Sequence, residues 1–296
     1  IVRRHIVDGE TTVSMACEAG RRALKDAGIS AEEIDLLVVS TISSNIILPC
    51  AACEVQKGLG ALHATCFDLS AACTGFVLAY NTAAAYLAGG IYRTALIIGS
   101  ESLSNLINWK DRGTCILFAD GAGAAILRAD DQKDCPKSYL PVTHSDGERG
   151  CALLLKSRHD RNFLSAASSQ QNADYEGEEY FMQMDGKAVF QFAVKKVPEV
   201  IREVLEKNQV QQEEISWFLL HQANKRIVES AAKRLGEPIE KFPMNIQEYG
   251  NTSSASIPIL LDEMNKKGML KPGQKLILAG FGAGLTWAAS LLDWAE

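Results

Sequence analysis

The sequence has no cysteine beyond Cys151, only five histidines among 296 residues, and few aromatic side chains, at 7%. These shortages remove the usual metal-ligand sets. Cys50-Ala51-Ala52-Cys53 is a lone Cys-x-x-Cys, with no second such pair and no spaced histidine pair, and it follows Pro49 where a helix is expected to start. Neither a metal site nor a redox role is expected of it. Long uncharged runs are also missing. Asp, Glu, Lys or Arg interrupts every apolar stretch except one Ala-rich segment, which is too short and too rich in small residues to cross a membrane. Positive charge is in deficit, with 30 Lys and Arg against 36 Asp and Glu, a net −6. That excludes general nucleic-acid binding while leaving room for a local basic patch. The sequence opens on Ile1 rather than Met and shows no signal-peptide pattern, and its unpaired thiols point to a reducing, cytoplasmic setting. What is abundant is apolar residues, 47% against 22% charged, enough to bury a large core in one large domain or two ordinary ones.

The chain is organised around Phe67-Asp68-Leu69-Ser70-Ala71-Ala72-Cys73-Thr74-Gly75-Phe76. The uncharged run from Thr74 to Ala88 follows, closed by Gly89 and Gly90. A helix apolar on every side is a buried helix, and glycines commonly sit just past a helix end. Cys73 thus falls at the N-terminal edge of a buried helix, where free N–H groups favour negative charge and are expected to lower the thiol pKa. Cysteine is also among the most often buried residues, so this stretch alone allows either a reactive thiol or a core one.

Before it, Ser14 to Ala27 reads as a helix ending at Gly28, and Ile34 to Val39 as a strand covered on both faces. After it come the strand Ala95 to Gly99 and two apolar segments, Ile116 to Phe118 and Ala124 to Leu127. The last two flank a glycine turn, Asp120-Gly121-Ala122-Gly123, which leads into strand-like residues and so is no dinucleotide loop. Asp130 to Pro141 is the expected junction between two halves, 1–132 and 133–296, and Ser168 to Glu179 a surface excursion.

The second half repeats the first. Ala23 to Ser40 lies on Val204 to His221 without a gap at a shift of 181, and Glu32-Glu33-Ile34 coincides with Glu213-Glu214-Ile215. A second match sets Cys73-Thr74 on Asn251-Thr252, so that Cys73 and Asn251 are expected at equivalent places in two copies of one unit. His221 ends the second copy's strand as Ser40 ends the first's. Sites in open α/β sheets lie beyond the carboxyl ends of strands, which gathers Cys73, His221 and Asn251.

The words around these residues are FDLSAACTGF, LLHQANKRI, YGNTSSASIP and a terminal GFGAGLTW. In that order and spacing they resemble beta-ketoacyl-acyl carrier protein synthase III, from about Arg3 to Asp293. The resemblance implies a thiolase-like α/β fold of two pseudo-symmetric halves in an α/β/α/β/α stack. It implies an acyltransferase that joins a short acyl-CoA primer to malonyl-acyl carrier protein and so initiates fatty-acid synthesis. Cys73 would carry the acyl group, His221 and Asn251 would stabilise the enolate left by decarboxylation, and the N–H groups of Cys73 and Ala283 would hold the oxyanion. Arg112, Gly186, Asn224, Ala283 and Leu48 would contact substrate, Leu48 by closing the acyl pocket of a homodimer partner. Arg226, Lys233 and Arg234, with Lys225 beside them, would receive the acidic carrier protein. No metal or organic cofactor is implied.

Two departures bear on this expectation. Ala283 stands where the family commonly has Gly. The family's opening strand, and a Trp-bearing segment that stacks CoA adenine against Arg112, belong ahead of Ile1. A specialised relative making a polyketide or quinolone product is the alternative enzyme. A catalytically silent acyl-carrier-binding homologue is the alternative from another class.

Overall fold

The computed structural model describes residues 1–2, 4–129, 139–157 and 180–295. The expected junction falls largely outside them, as do the 132/133 boundary and the 168–179 excursion. Helix α1 (Thr12–Ala27) starts two residues earlier than the sequence suggests, because Thr11 caps it: Ser14 N donates to Thr11 Oγ1 (3.1 Å) and Thr11 N to Ser14 Oγ (2.8 Å). Gly28 ends it at φ 64°. Strand β1 (Leu36–Ser40) is buried at every position, as a run covered on both faces must be. Helix α2 (Ala51–Leu59) begins just after Cys50, and Asp68 accepts from the N–H groups of Ala51 and Ala52, at 2.8 Å each.

Beyond α2 lie β2 (Thr65–Leu69), α3 (Gly75–Ala88), β3 (Thr94–Ser102) and β4 (Asp120–Arg128). They assemble a sheet of order β2-β1-β3-β4, in which β4 alone runs antiparallel to its neighbour. The second sheet is β5-β10-β9-β8, from β5 (Val142–Ser145), β8 (Ile215–Leu220), β9 (Lys275–Gly282) and β10 (Thr286–Asp293). A two-stranded ribbon, β6 (Leu153–Leu154) with β7 (Gln183–Met184), stands apart from both.

Helices α3 and α7 (Ser256–Lys266), the latter preceded by the single turn α6 (Ile246–Tyr249), lie between the sheets. Helices α1 and α2 cover the outer face of the first sheet, and α4 (Gly186–Asn208), backed by α5 (Lys225–Leu235), that of the second. The molecule is therefore an α/β/α/β/α stack. Its middle layer buries Phe76, Val77, Ile257 and Leu260 against Val38, Ile97, Leu219 and Leu278. Each large apolar side chain so removed from water contributes about 1.5–3 kcal/mol.

The duplication extends to hydrogen bonds and dihedrals. Glu33 Oε1 accepts from Ser30 N at 2.9 Å, and Glu214 Oε1 from Gln211 N at 2.8 Å. Leu36 pairs with Ala95 as Trp217 pairs with Leu276, every residue shifted by 181. The shift holds through the turn before each middle helix. Ala72 (φ 46°) corresponds to Ser253 (φ 50°), and Gly75 to Ser256, each opening its helix. This corrects the expected equivalence of Cys73 with Asn251. The counterpart of Cys73 is Ser254, and Asn251 corresponds to Ser70. The sequence match slipped because α7 has 11 residues where α3 has 14.

The glycine turn at 120–123 is also corrected: these residues open β4 and pair with β3 throughout. A Cβ at Gly123 would lie 2.7 Å from Ile259 N, and one at Gly121 3.0 Å from Ile259 Cδ1. The glycines let α7 press against the strand.

Candidate active site

Strand β2 runs into the tight turn Ala71–Thr74, and this carries Cys73 onto the start of α3. Ala72, a non-glycine in the left-handed region, stores strain of about 1 kcal/mol or more at this turn. Above the sulfur the chain is cut back to glycine: a Cβ at Gly282 would lie 2.8 Å from Cys73 Cβ and 3.3 Å from its Sγ. The thiol opens on a small cavity of about 40 Å³, with Ala283 and Ser253 as neighbours. Its apolar wall comes from Leu103, Phe118, Met182 and the segment 153–155.

Burial dominates the electrostatics of the thiol. It pushes the Cys73 pKa up to about 12, opposed by the Ser253 hydroxyl and the N–H of Cys73 itself. The expected lowering by the helix N-terminus is thus overturned, because a desolvated thiolate costs more than those dipoles return. The free enzyme holds a thiol. Below such a pKa the thiolate fraction grows tenfold per pH unit, so Cys73 alkylation by iodoacetamide should rise about tenfold per unit from pH 7 to 10 without levelling. A plateau reached by pH 8 would show an activated thiolate instead.

His221 follows the end of β8, its N–H donating to Ala279 O at 2.9 Å. The ring is 1% exposed and packs edge-on against Phe281, with centroids 5.2 Å apart. Burial lowers its pKa to about 3, which leaves it neutral across the physiological range. Nδ1 lies 2.8 Å from Ser256 Oγ, and that hydroxyl is also 2.8 Å from Ser253 O. Asn251 is held by its backbone between Leu117 O and Ala119 N, at 2.9 Å each. Its Oδ1 accepts from Ser253 N at 2.9 Å, which turns the amide so that Nδ2 is left as a donor. The turn 251–256 therefore fixes His221 and Asn251 together, and its Ser253 borders the Cys73 cavity.

Of the predicted residues only Cys73 and Ala283 line this cavity; His221 and Asn251 do not, nor do the rest. Arg112 is exposed on a turn closed by Asp111, whose carboxylate accepts from Gly113 N (2.8 Å) and Thr114 Oγ1 (2.6 Å). Gly186 is exposed at the first position of α4. Asn224 caps α5 by accepting from Arg226 N at 2.9 Å, which commits its side-chain oxygen. Arg226, Lys233 and Arg234 are exposed on α5, and Lys225 is paired with Glu229 at 3.7 Å. Leu48 is 85% exposed and does not line its own chain's cavity. Cys50 and Cys53 are free thiols 3.5 Å apart. Among the described residues no cluster of three or more His, Cys, Asp or Glu could hold a metal, and no helix is long and apolar enough to cross a membrane.

Sequence reasoning did not find Ser253, Ser256, Glu101 or the cavity wall. Three of these are small or polar residues in a serine-rich stretch or at a strand end, and the wall comes from the two-residue strand β6 and from scattered residues outside any strand.

Known proteins are similar to this chain in sequence and in fold. Residues 67–147 match the family model described as 3-Oxoacyl-[acyl-carrier-protein (ACP)] synthase III, and residues 205–294 match its C-terminal counterpart. A Beta-ketoacyl-[acyl-carrier-protein] synthase III of Clostridium acetobutylicum is 44% identical over 296 residues, covering 100% of this chain and 88% of that one. The crystal structure of 3-oxoacyl-[acyl-carrier-protein] synthase III from Aquifex aeolicus superposes with a TM-score of 0.88 at 38% identity, over 98% of this chain and 87% of that one. The priming beta-ketosynthase of the R1128 polyketide pathway gives 0.89 at 35% identity, over 99% and 85%. The turn that carries Cys73 and the turn that fixes His221 and Asn251 both lie within the matched segments. The chain belongs to the beta-ketoacyl-[acyl-carrier-protein] synthase III family.

Proposed function

We propose that this enzyme condenses a short acyl-CoA with malonyl-acyl carrier protein to give 3-oxoacyl-acyl carrier protein and carbon dioxide. One observation carries the reading. A buried thiol on a strained turn shares a cavity edge with a turn that presents a neutral imidazole and an amide whose oxygen is already committed. In the first half-reaction Cys73 Sγ attacks the thioester carbon. The thiol proton leaves as the bond forms and ends on the departing CoA sulfur. Backbone N–H groups of Cys73 and Ala283 hold the oxyanion.

In the second half-reaction, malonyl thioester loses carbon dioxide while Asn251 Nδ2 and His221 Nε2–H stabilise the enolate oxygen. Donation from Nε2 needs the tautomer in which Ser256 turns its one proton from Ser253 O to Nδ1. The carbanion then attacks the acyl-Cys73 carbonyl, and the departing thiolate takes up one proton from solvent to restore the thiol. Loss of carbon dioxide drives the step, so no cofactor is required. Release of carbon dioxide from malonyl-acyl carrier protein, coupled to an acyl-CoA primer, tests the activity, and its absence would favour a silent carrier-binding homologue. The polyketide priming enzyme fits the fold equally well, so product identification decides between primary and specialised metabolism.

Carrier docking is assigned to Arg226, Lys233 and Arg234 on the exposed face of α5, with Arg226 and Lys233 seven residues apart. Arg226→Glu should raise the KM for malonyl-acyl carrier protein about tenfold and leave primer transfer from acyl-CoA unchanged, since reversing one steering charge acts on encounter. Equal losses in both half-reactions would remove the assignment. Arg112, Gly186 and Asn224 are assigned to the CoA-bearing side. The free thiols among the described residues fit a reducing cytoplasm.

The chain is further proposed to be a homodimer joined along β2, the open edge of the first sheet, where Ile47, Leu48 and Leu62 are exposed. Leu48 then reaches the partner's acyl pocket. Leucine leaves a deeper floor than phenylalanine, and each further buried primer methylene contributes up to ~0.8 kcal/mol while it fits. Propionyl-, butyryl- and branched primers should therefore work at least as well as acetyl-CoA, and Leu48→Phe should restore acetyl preference. Strict acetyl selectivity of the unaltered enzyme, or a fully active monomer, contradicts this arrangement.

A further inference from the structure

The internal twofold places a second turn, closely matching the one that carries Cys73, over the first sheet. Ser254 corresponds to Cys73, Ser40 to His221, Gly99 to Gly280 and Glu101 to Gly282, all at the shift of 181. The packing repeats too. A Cβ at Gly280 would lie 3.1 Å from Thr74 Cα, and one at Gly99 would lie 3.1 Å from Ala255 Cα, the corresponding atom. What faces the two turns also differs. Where Gly282 leaves room above the Cys73 sulfur, Glu101 sends a carboxyl group up to Ser254.

Glu101 is 0% exposed, and no basic side chain pairs with it among the described residues. Its Oε2 accepts from Ser43 Oγ (2.6 Å), Ile42 N (3.1 Å) and Thr41 Oγ1 (3.2 Å). Its Oε1 has one partner among the described residues, Ser254 Oγ, at 2.9 Å. That hydroxyl has a single proton and also lies 2.9 Å from Ser40 O, which can only accept. With the Ser254 proton on Ser40 O, the contact to Oε1 is a hydrogen bond only if Glu101 supplies the other proton.

We propose that Glu101 is a carboxylic acid, not a carboxylate, and that it acts as a positioning residue. It donates to Ser254, fills the second turn and so fixes the segment that holds both Asn251 and His221. The linkage is short. Ser254 follows Ser253, whose N–H holds Asn251 Oδ1 and whose carbonyl lies 2.8 Å from Ser256 Oγ, the partner of His221. Burial raises the Glu101 pKa, in the same direction as the proton count. A neutral Glu101 also spares the site a second negative charge while an enolate forms, whereas a carboxylate would oppose both that enolate and the Cys73 thiolate.

The test compares Glu101→Gln and Glu101→Ala in the whole enzyme. It measures malonyl-acyl carrier protein decarboxylation (kcat and KM separately), Cys73 acylation, and infrared difference spectra at neutral pH. Glutamine reproduces the donor and acceptor pattern of a neutral acid, so Glu101→Gln should keep decarboxylation kcat within about threefold. Glu101→Ala should lower it about thirtyfold or more with KM within about twofold, because the donors are displaced and not the docking surface. The spectrum of the unaltered enzyme minus that of Glu101→Gln should contain the C=O stretch of a protonated carboxyl. Carboxylate bands in its place, or Glu101→Gln as impaired as Glu101→Ala, would overturn the neutral acid. Full activity of Glu101→Ala would overturn the positioning role. The kinetic arms rest on the proposed condensation, but the infrared arm does not. If Glu101→Ala fails to fold, the glutamine variant and its spectrum still decide the protonation state.

Discussion

Replacing Cys73 by alanine should lower primer transfer from acyl-CoA by on the order of 10⁴-fold or more, to background, while the protein still folds. The fold survives because the change removes one sulfur from a site already facing a cavity, and the packing of α3 against both sheets is untouched. The loss is complete because no neighbour can replace the nucleophile. Ser253, the other polar side chain at the cavity, is a hydroxyl without a base beside it. Decarboxylation of malonyl-acyl carrier protein should persist in Cys73→Ala, since its donors sit on the 251–256 turn and at the end of β8. The two half-reactions can therefore be separated with radiolabelled acyl-CoA and malonyl-acyl carrier protein. Loss of both in parallel would mean that the chemistry is not divided between the halves as argued.

The second large effect is on those donors. Asn251→Ala and His221→Ala should each reduce decarboxylation about 10²–10³-fold, the usual consequence of removing one preorganised donor from a developing oxyanion. Acylation of Cys73 should fall far less. Because His221 is buried and neutral with its pKa near 3, the decarboxylation rate should show no break near pH 6.5, where an exposed histidine would titrate. A single break at that pH, lost in His221→Ala, would show that the ring works as a cation.

Much of this was legible in the sequence, for identifiable reasons. The buried helix at 75–88 announced itself by carrying no charge on any face, and β1 by an unbroken apolar run. The three central residues could be read because each lies in a short local word; the repeat helped only with His221 at its strand end, since its match of Asn251 to Cys73 had slipped. Other features depend on contacts between distant segments. Gly121 and Gly123 read as a turn, yet they lie in a strand, since what requires glycine there is Ile259, more than 130 residues away. Glu101 reads as a polar strand end, and only the arrival of residues 41–43 and Ser254 gives it a buried hydrogen-bonded site. The direction of the Cys73 pKa was misjudged for a related reason. A helix N-terminus is visible in a sequence, whereas the depth at which a thiol is desolvated is not.

The central claim is that the acyl group passes through Cys73. It is tested most directly by peptide mass spectrometry of the enzyme incubated with butyryl-CoA and then with malonyl-acyl carrier protein. The account predicts a butyryl adduct on the peptide containing Cys73, discharged in the second step with equimolar carbon dioxide and 3-oxoacyl-acyl carrier protein. Condensation that proceeds while Cys73 stays unmodified, or with the adduct on Cys115 or Cys151 instead, would contradict it.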